Sequence, residues 1–251
     1  MTTTPGTTTA ATTGVPQAAL SAPAHHTAPG DRLERRLLLG GAGITGVVGS
    51  LLVLAAFVLV GSLDLPDPFT TESLLRFPEI QHARAAENLL YLAGVVLWAV
   101  HFDLLHRLLH ATAPVLSAAA RAIGVLGVAV LAAGALLNVA TAPMSQAYQQ
   151  AAEADRAGIV LAWQAAQAVM DAMLVTGALL LPAAVALYGL ALRPHLGRTL
   201  AWASVCVGAA GLIGAGVAAA TPPSALVAVS ILGTLAFHLA AGIRWLGLSR
   251  G

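Results

Sequence analysis

Six long apolar stretches constrain this chain more than any other feature of its sequence. They cover approximately residues 37 to 62, 88 to 110, 120 to 140, 158 to 190, 200 to 220 and 224 to 247. About 20 mostly apolar residues allow a helix to cross the hydrocarbon core of a bilayer. Only 9% of the residues are charged, whereas a soluble domain has roughly a quarter charged. The sequence therefore predicts an all-α, polytopic bundle of six transmembrane helices.

The charged residues between these stretches predict which side each connection faces. Every basic residue is an arginine, and most arginines fall in alternate connections and at the two ends of the bundle: Arg32, Arg35, Arg36, Arg107, Arg121, Arg193, Arg198, Arg244 and Arg250. The other connections hold most of the acidic residues. Because arginine accumulates in cytoplasmic loops, we expect both termini to be cytoplasmic.

Composition also bears on the compartment and the partners. Heavy use of Ala, Gly, Val and Arg without Lys is typical of a GC-rich bacterial genome, which predicts the inner (plasma) membrane and makes the lipid bilayer the first partner. A net charge of +1 gives no indication of nucleic-acid binding. The single cysteine, Cys206, excludes an internal disulfide.

The chain divides into a tail and one membrane domain. Residues 1 to 30 are rich in Thr, Ala and Pro and are predicted to be a disordered cytoplasmic tail, in which the pair His25 and His26 is more typical of a solvated segment than of a metal site. Residues 31 to 251 form the six-helix domain. Pro182 predicts a kink in the fourth span, and the adjacent prolines 222 and 223 predict the turn before the sixth span.

Polar side chains within the apolar stretches are the candidate site residues, because such groups are costly in a bilayer. Gln164, Gln167 and Asp171 share one helical face, and Asp171 is expected roughly 20 Å from the outer end of its span, near mid-bilayer. With Asn138 and His101, this face predicts a pocket for a small or lipophilic ligand or a membrane partner. The alternative is an interhelical hydrogen bond, for example from Asp171 to Asn138, that only fixes packing.

Histidines suggest a second kind of chemistry. His101 is expected at a depth similar to that of Asp171 and His238, and two imidazoles with one carboxylate could ligate a divalent metal or haem. The alternative is a pair of packed, hydrogen-bonded histidines. No cofactor is indicated by a spacing motif.

His106 and His110 at the inner end of the second span have the i, i+4 spacing that can hold a metal, and Asp103 shares their face. Against this hypothesis, Asp103 and Arg107 are also four residues apart and can form an ion pair. Histidines at a membrane interface are also commonly solvated.

The layout resembles DUF4386, a family of uncharacterised bacterial six-helix membrane proteins. The resemblance is carried by the arginine-rich start, the acidic loop before the second span, and the stretch LYGLALRPHLGRTLAW at residues 187 to 202, which precedes a Gly-rich span. It implies the architecture over residues 35 to 248 and brings no catalytic residues.

Three classes of function remain open from the sequence. The leading expectation is a non-enzymatic binding protein, the second is a metal- or haem-dependent enzyme or redox protein, and the third is a packing subunit of a larger complex. Neither a GxSxG nor a GxxxxGK[ST] motif is present, so no catalytic residue is predicted.

Overall fold

The computed structural model describes residues 29–63, 65, 67–221 and 226–250. The predicted tail with its histidine pair and the predicted turn at prolines 222 and 223 lie outside these residues. The described residues form seven helices: α1 Pro29–Ser62, α2 Thr71–Leu109, α3 Pro114–Ala140, α4 Ala142–Gln150, α5 Glu153–Leu192, α6 Arg198–Ala220 and α7 Val227–Arg250. Six segments, with α4 continuing α3, are long and apolar enough to cross a membrane. The described residues contain no strand, which confirms the prediction of an all-α fold with six helices of membrane-spanning length and polarity.

The six long helices form a ring in chain order. Each packs against the next long helix along the chain, and α1 closes the ring by packing against α7. The short α4 lies against α2 and α5. Large aromatic side chains fill the centre: Trp98, Phe102, Tyr188, Phe237 and Trp245 are all buried. The Tyr188 hydroxyl donates a hydrogen bond of 2.6 Å to the Phe102 carbonyl, so α2 and α5 are joined by a polar contact as well as by packing.

Helices α2 and α5 are much longer than a bilayer requires. They contain 39 and 40 residues and are therefore about 60 Å long, against about 30 Å of hydrocarbon. Residues 72 to 86, which precede the second apolar stretch of the sequence, form the N-terminal part of α2. The Thr70 side chain caps this helix by accepting a hydrogen bond of 3.4 Å from the Ser73 amide.

Pro78 lies inside α2 without ending it. A proline has no amide proton, so the carbonyl four residues earlier, that of Leu74, loses its helical partner. The Ser145 hydroxyl of α4 donates a hydrogen bond of 2.7 Å to this carbonyl. A serine from a neighbouring helix therefore replaces the bond that the proline removes.

Pro182 in α5 shows the same arrangement. The carbonyl four residues earlier belongs to Ala178, and it accepts a hydrogen bond from the Ser230 hydroxyl of α7. The α5 helix is continuous through this position. The missing donor is thus supplied from across the bundle, as membrane helices with internal prolines require.

Small residues at four-residue spacing predict faces on which helices approach closely: Ala42, Gly46 and Ser50 on α1, and Ala210, Gly214 and Ala218 on α6. On α1, Ala42, Gly46 and Ser50 are all buried, as their spacing predicts. On α6, Ala210 is exposed, and the closest approach is instead made at Gly208, where a Cβ would lie 2.6 Å from the Pro182 carbonyl oxygen. The α6 packing face is therefore rotated relative to the predicted one.

Candidate functional site

A cavity of about 340 Å³ lies between α1, α2, α3 and α5. It is at the end of the bundle where α1 ends and α2 begins, away from the helix ends that carry most of the arginines. We call it the Asp171 cavity. Its lining includes Ala56, Phe57, Phe69, Phe77, Arg84, Glu87, Asn88, Tyr91, Leu131, Gly134, Asn138, Trp163, Gln167, Met170 and Asp171.

Three of the sequence-predicted residues meet in this cavity. Gln167 and Asp171 line it from α5 and Asn138 lines it from α3. Asn138 and Asp171 do not hydrogen-bond to each other, so the expected interhelical bond between them is absent, and Asp171 is exposed rather than enclosed. Gln164 is not part of the lining, since its side-chain amide donates a hydrogen bond of 3.0 Å to the Phe69 carbonyl.

The α2 helix contributes four polar residues to the lining, of which Glu87 and Tyr91 are predicted by their spacing to share a helical face with His101. Arg84, Glu87, Asn88 and Tyr91 line the cavity at spacings of three and four residues, which places them on one face of a continuous helix. The Arg84 guanidinium lies 3.1 Å from the Glu87 carboxylate. Asn88 is only 7% exposed, yet its side chain has no hydrogen-bond partner among the described residues. Arg84 and Asn88 are the members of this face that the sequence did not indicate as candidates.

Aromatic rings form two sides of the cavity. Phe57 of α1 and Tyr91 of α2 meet edge to face with centroids 6.3 Å apart. Phe77 and Trp163 form a second edge-to-face pair at 5.8 Å. The Trp163 indole nitrogen donates a hydrogen bond of 2.8 Å to the Pro68 carbonyl, which fixes the ring against the connection between α1 and α2.

His101 and His238 meet elsewhere, in the core of the bundle. Their Nδ1 atoms lie 3.3 Å apart, so one ring donates and the other accepts. The Trp98 ring stacks on His238 at 4.6 Å, and Gly46 of α1 lies against His101 with no space for a side chain. Neither Nε2 atom has a hydrogen-bond partner among the described residues.

The predicted convergence of these histidines with Asp171 is wrong. Asp171 lines the separate cavity, which neither His101 nor His238 reaches. In the described part of the chain, no group of three His, Cys, Asp or Glu side chains could hold a metal. A haem has no space between the two imidazoles, because their ring centroids are only 4.8 Å apart and both side chains are fully buried. The arrangement is that of a packed, hydrogen-bonded histidine pair.

The C-terminal end of α2 follows the ion-pair interpretation. The Asp103 carboxylate lies 2.8 Å from the guanidinium of Arg107 and 2.8 Å from that of Arg121 on α3. The His106 and His110 rings meet edge to face at 5.1 Å, and the Nδ1 atom of His106 lies 3.0 Å from the Ser117 hydroxyl. Asp103 therefore forms ion pairs with two arginines.

Comparison of the chain with known protein families, with curated proteins and with solved structures gives no match. The resemblance to the DUF4386 family stays a prediction carried by the residues quoted above. The Asp171 cavity, an apolar and aromatic space with a few convergent polar groups, has the composition typical of small-molecule sites.

Proposed function

We propose that this chain is a multi-pass protein of a bacterial inner membrane that binds a small amphipathic molecule in the Asp171 cavity. The observation that carries the proposal is the combination of volume and lining. A cavity of about 340 Å³ falls within the range of roughly 300–1,000 Å³ found for ligand sites. Its walls are largely apolar, and its polar groups converge from the three helices α2, α3 and α5.

Four polar side chains in the wall are free to bind a ligand. Asn88, Asn138, Gln167 and Asp171 make no side-chain hydrogen bond with the described residues. Asn88 is nearly buried, and its amide is available to a molecule that enters the cavity. A ligand with an apolar body and a polar group would satisfy these side chains and cover the aromatic walls.

The distribution of arginines supports placing the cavity on the outer side. On the positive-inside rule, the arginine-rich helix ends are cytoplasmic. About 20 residues cross the hydrocarbon, and counting that far from Arg193 and from Arg107 reaches Asp171 and Glu87. We therefore place these two carboxylates near the outer boundary of the hydrocarbon, which revises the mid-bilayer position expected for Asp171.

Binding of N-phenyl-1-naphthylamine, a dye that fluoresces in apolar surroundings, tests the proposal. The full chain is reconstituted in lipid nanodiscs, and saturable binding is measured in excess of empty nanodiscs. Gly134→Leu fills the cavity wall and is expected to abolish saturable binding, since a Cβ there meets only the Met173 side chain, at 3.5 Å. Asp171→Leu is expected to weaken binding without preventing insertion.

Gly216→Leu is the matched control, because a Cβ at Gly216 has no neighbour within 4 Å and lies outside the cavity. The thermal unfolding temperature of each glycine variant is measured, and dye binding is compared between variants whose unfolding temperatures agree. Saturable binding that survives Gly134→Leu as well as it survives Gly216→Leu would contradict the proposal.

A further inference from the structure

We propose that the ligand of the Asp171 cavity is an organic cation, an ammonium or similar group carried on an apolar body. This inference rests on the proposed function and adds the sign of the ligand's charge. It depends on three features of the lining: its unbalanced carboxylate, its unpartnered amides and its aromatic faces.

The charge of the lining is negative after its own ion pair is removed. Arg84, Glu87 and Asp171 are the charged residues among those that line the cavity. Arg84 and Glu87 neutralise each other at 3.1 Å. The Asp171 carboxylate has no cationic partner within the described residues, so it remains available to a positive charge.

The amide side chains are compatible with the same ligand. Asn88, Asn138 and Gln167 each present a carbonyl oxygen, and these oxygens accept hydrogen bonds from an ammonium or orient their dipoles toward a quaternary cation. None of the three is engaged by another described side chain. Rotation of each amide can therefore follow the ligand without breaking a bond within the protein.

The aromatic residues provide faces for a cation. A positive group within about 6 Å of a ring centroid is attracted by the ring quadrupole, most strongly for Trp and Tyr. Trp163 and Tyr91 both line the cavity. Trp163 is only 2% exposed and supports the wall of the cavity, so the partly exposed ring of Tyr91 is the face that a cation can approach.

An anion or a neutral molecule fits the lining less well. An anion would approach Asp171, and the cation available to it, Arg84, is already paired with Glu87. A neutral ligand would satisfy the amides and fill the apolar space but would leave the Asp171 carboxylate without a counter-charge.

The test compares three probes of one size that differ in charge. Phenyltrimethylammonium is positive, tert-butylbenzene is its uncharged counterpart, and benzenesulfonate is negative. Each is titrated by calorimetry into the full chain in nanodiscs, with empty nanodiscs subtracted. We expect phenyltrimethylammonium to bind about tenfold more tightly than tert-butylbenzene, a difference of about 1.4 kcal/mol, and benzenesulfonate to bind least.

Asp171→Asn keeps the shape of the side chain and removes its charge. It is expected to lower phenyltrimethylammonium affinity about tenfold and to leave tert-butylbenzene affinity unchanged. Asp155→Asn is the control, since Asp155 is exposed in the first turn of the same helix and does not line the cavity. It should change neither affinity.

The outcomes separate this inference from the proposed function. If the neutral probe and the naphthylamine dye bind but the cation has no advantage, or if Asp171→Asn leaves cation affinity unchanged, the ligand is not a cation while the binding function stands. If neither the dye nor any of the three probes binds saturably, the binding function itself is overturned.

Discussion

Gly46 determines how closely α1 approaches the histidine pair. A Cβ at this position would overlap the His101 ring and lie 2.7 Å from the His238 carbonyl oxygen. We expect Gly46→Ala to lower the free energy of unfolding by about 1–3 kcal/mol, the usual cost of overpacking a core. Gly40→Ala on the same helix is the control, because a Cβ there has no neighbour within 4 Å. Equal thermal unfolding temperatures for both variants would show that α1 is not packed as described.

The histidine pair is expected to behave as a single polar unit. Replacing either His101 or His238 leaves the other ring, which is fully buried, without its only imidazole partner. His101→Leu and His238→Phe should each cost about 1–3 kcal/mol of unfolding free energy, and the double variant should cost less than their sum. Denaturation of all four proteins in mixed micelles measures the coupling energy. Strict additivity would show that the contact contributes nothing.

The α5 and α7 helices are joined where a proline leaves a carbonyl free. Ser230→Ala should destabilise the protein by about 1–3 kcal/mol, because the Ala178 carbonyl then has no donor. Pro182→Ala restores an amide proton to the helix, so we expect the serine substitution to cost much less in a Pro182→Ala background. Unfolding free energies of the single and double variants test this rescue. A full cost in both backgrounds would mean that Ser230 acts through something other than the freed carbonyl.

At the other end of the molecule, Ser145 of α4 donates to the carbonyl that Pro78 leaves free in α2. Ser145→Ala is expected to expose the short α4 helix to faster amide hydrogen exchange, and Pro78→Ala to reduce that effect. Thr221→Ala is the control, because the Thr221 side chain is exposed and its hydroxyl donates only to the Val217 carbonyl at the end of α6. Unchanged exchange in α4 would contradict the assignment.

At the scale of the whole molecule, the arginines predict the orientation. In a Cys206→Ser background, a cysteine replacing Ser249 should be labelled by an impermeant maleimide only after the inner side is exposed. A cysteine replacing Ser62, at the opposite end of α1, should be labelled on intact cells. The reverse pattern would place the termini outside and would move the Asp171 cavity to the cytoplasmic side.

The candidate site could be predicted only in part. The spacing of Gln167 and Asp171 on one helical face survives because it depends on local helix geometry, which the apolar pattern fixes. The predictions that were wrong concern contacts between different helices. Apolar periodicity is weak in helices whose surroundings are lipid as well as protein, so neither the rotation of α2 nor the distance from His101 to Asp171 follows from it.

Segment lengths and polarity determined that this chain forms six helices long and apolar enough to cross a membrane, because the energy of burying apolar residues in lipid is a property of each segment alone. Tertiary structure decided the rest. It determined that Ser230 completes the bond missing at Pro182, that His101 meets His238 and not Asp171, and that Asn88 joins the cavity. These contacts depend on which faces of different helices meet, and that is set by the packing of all six together.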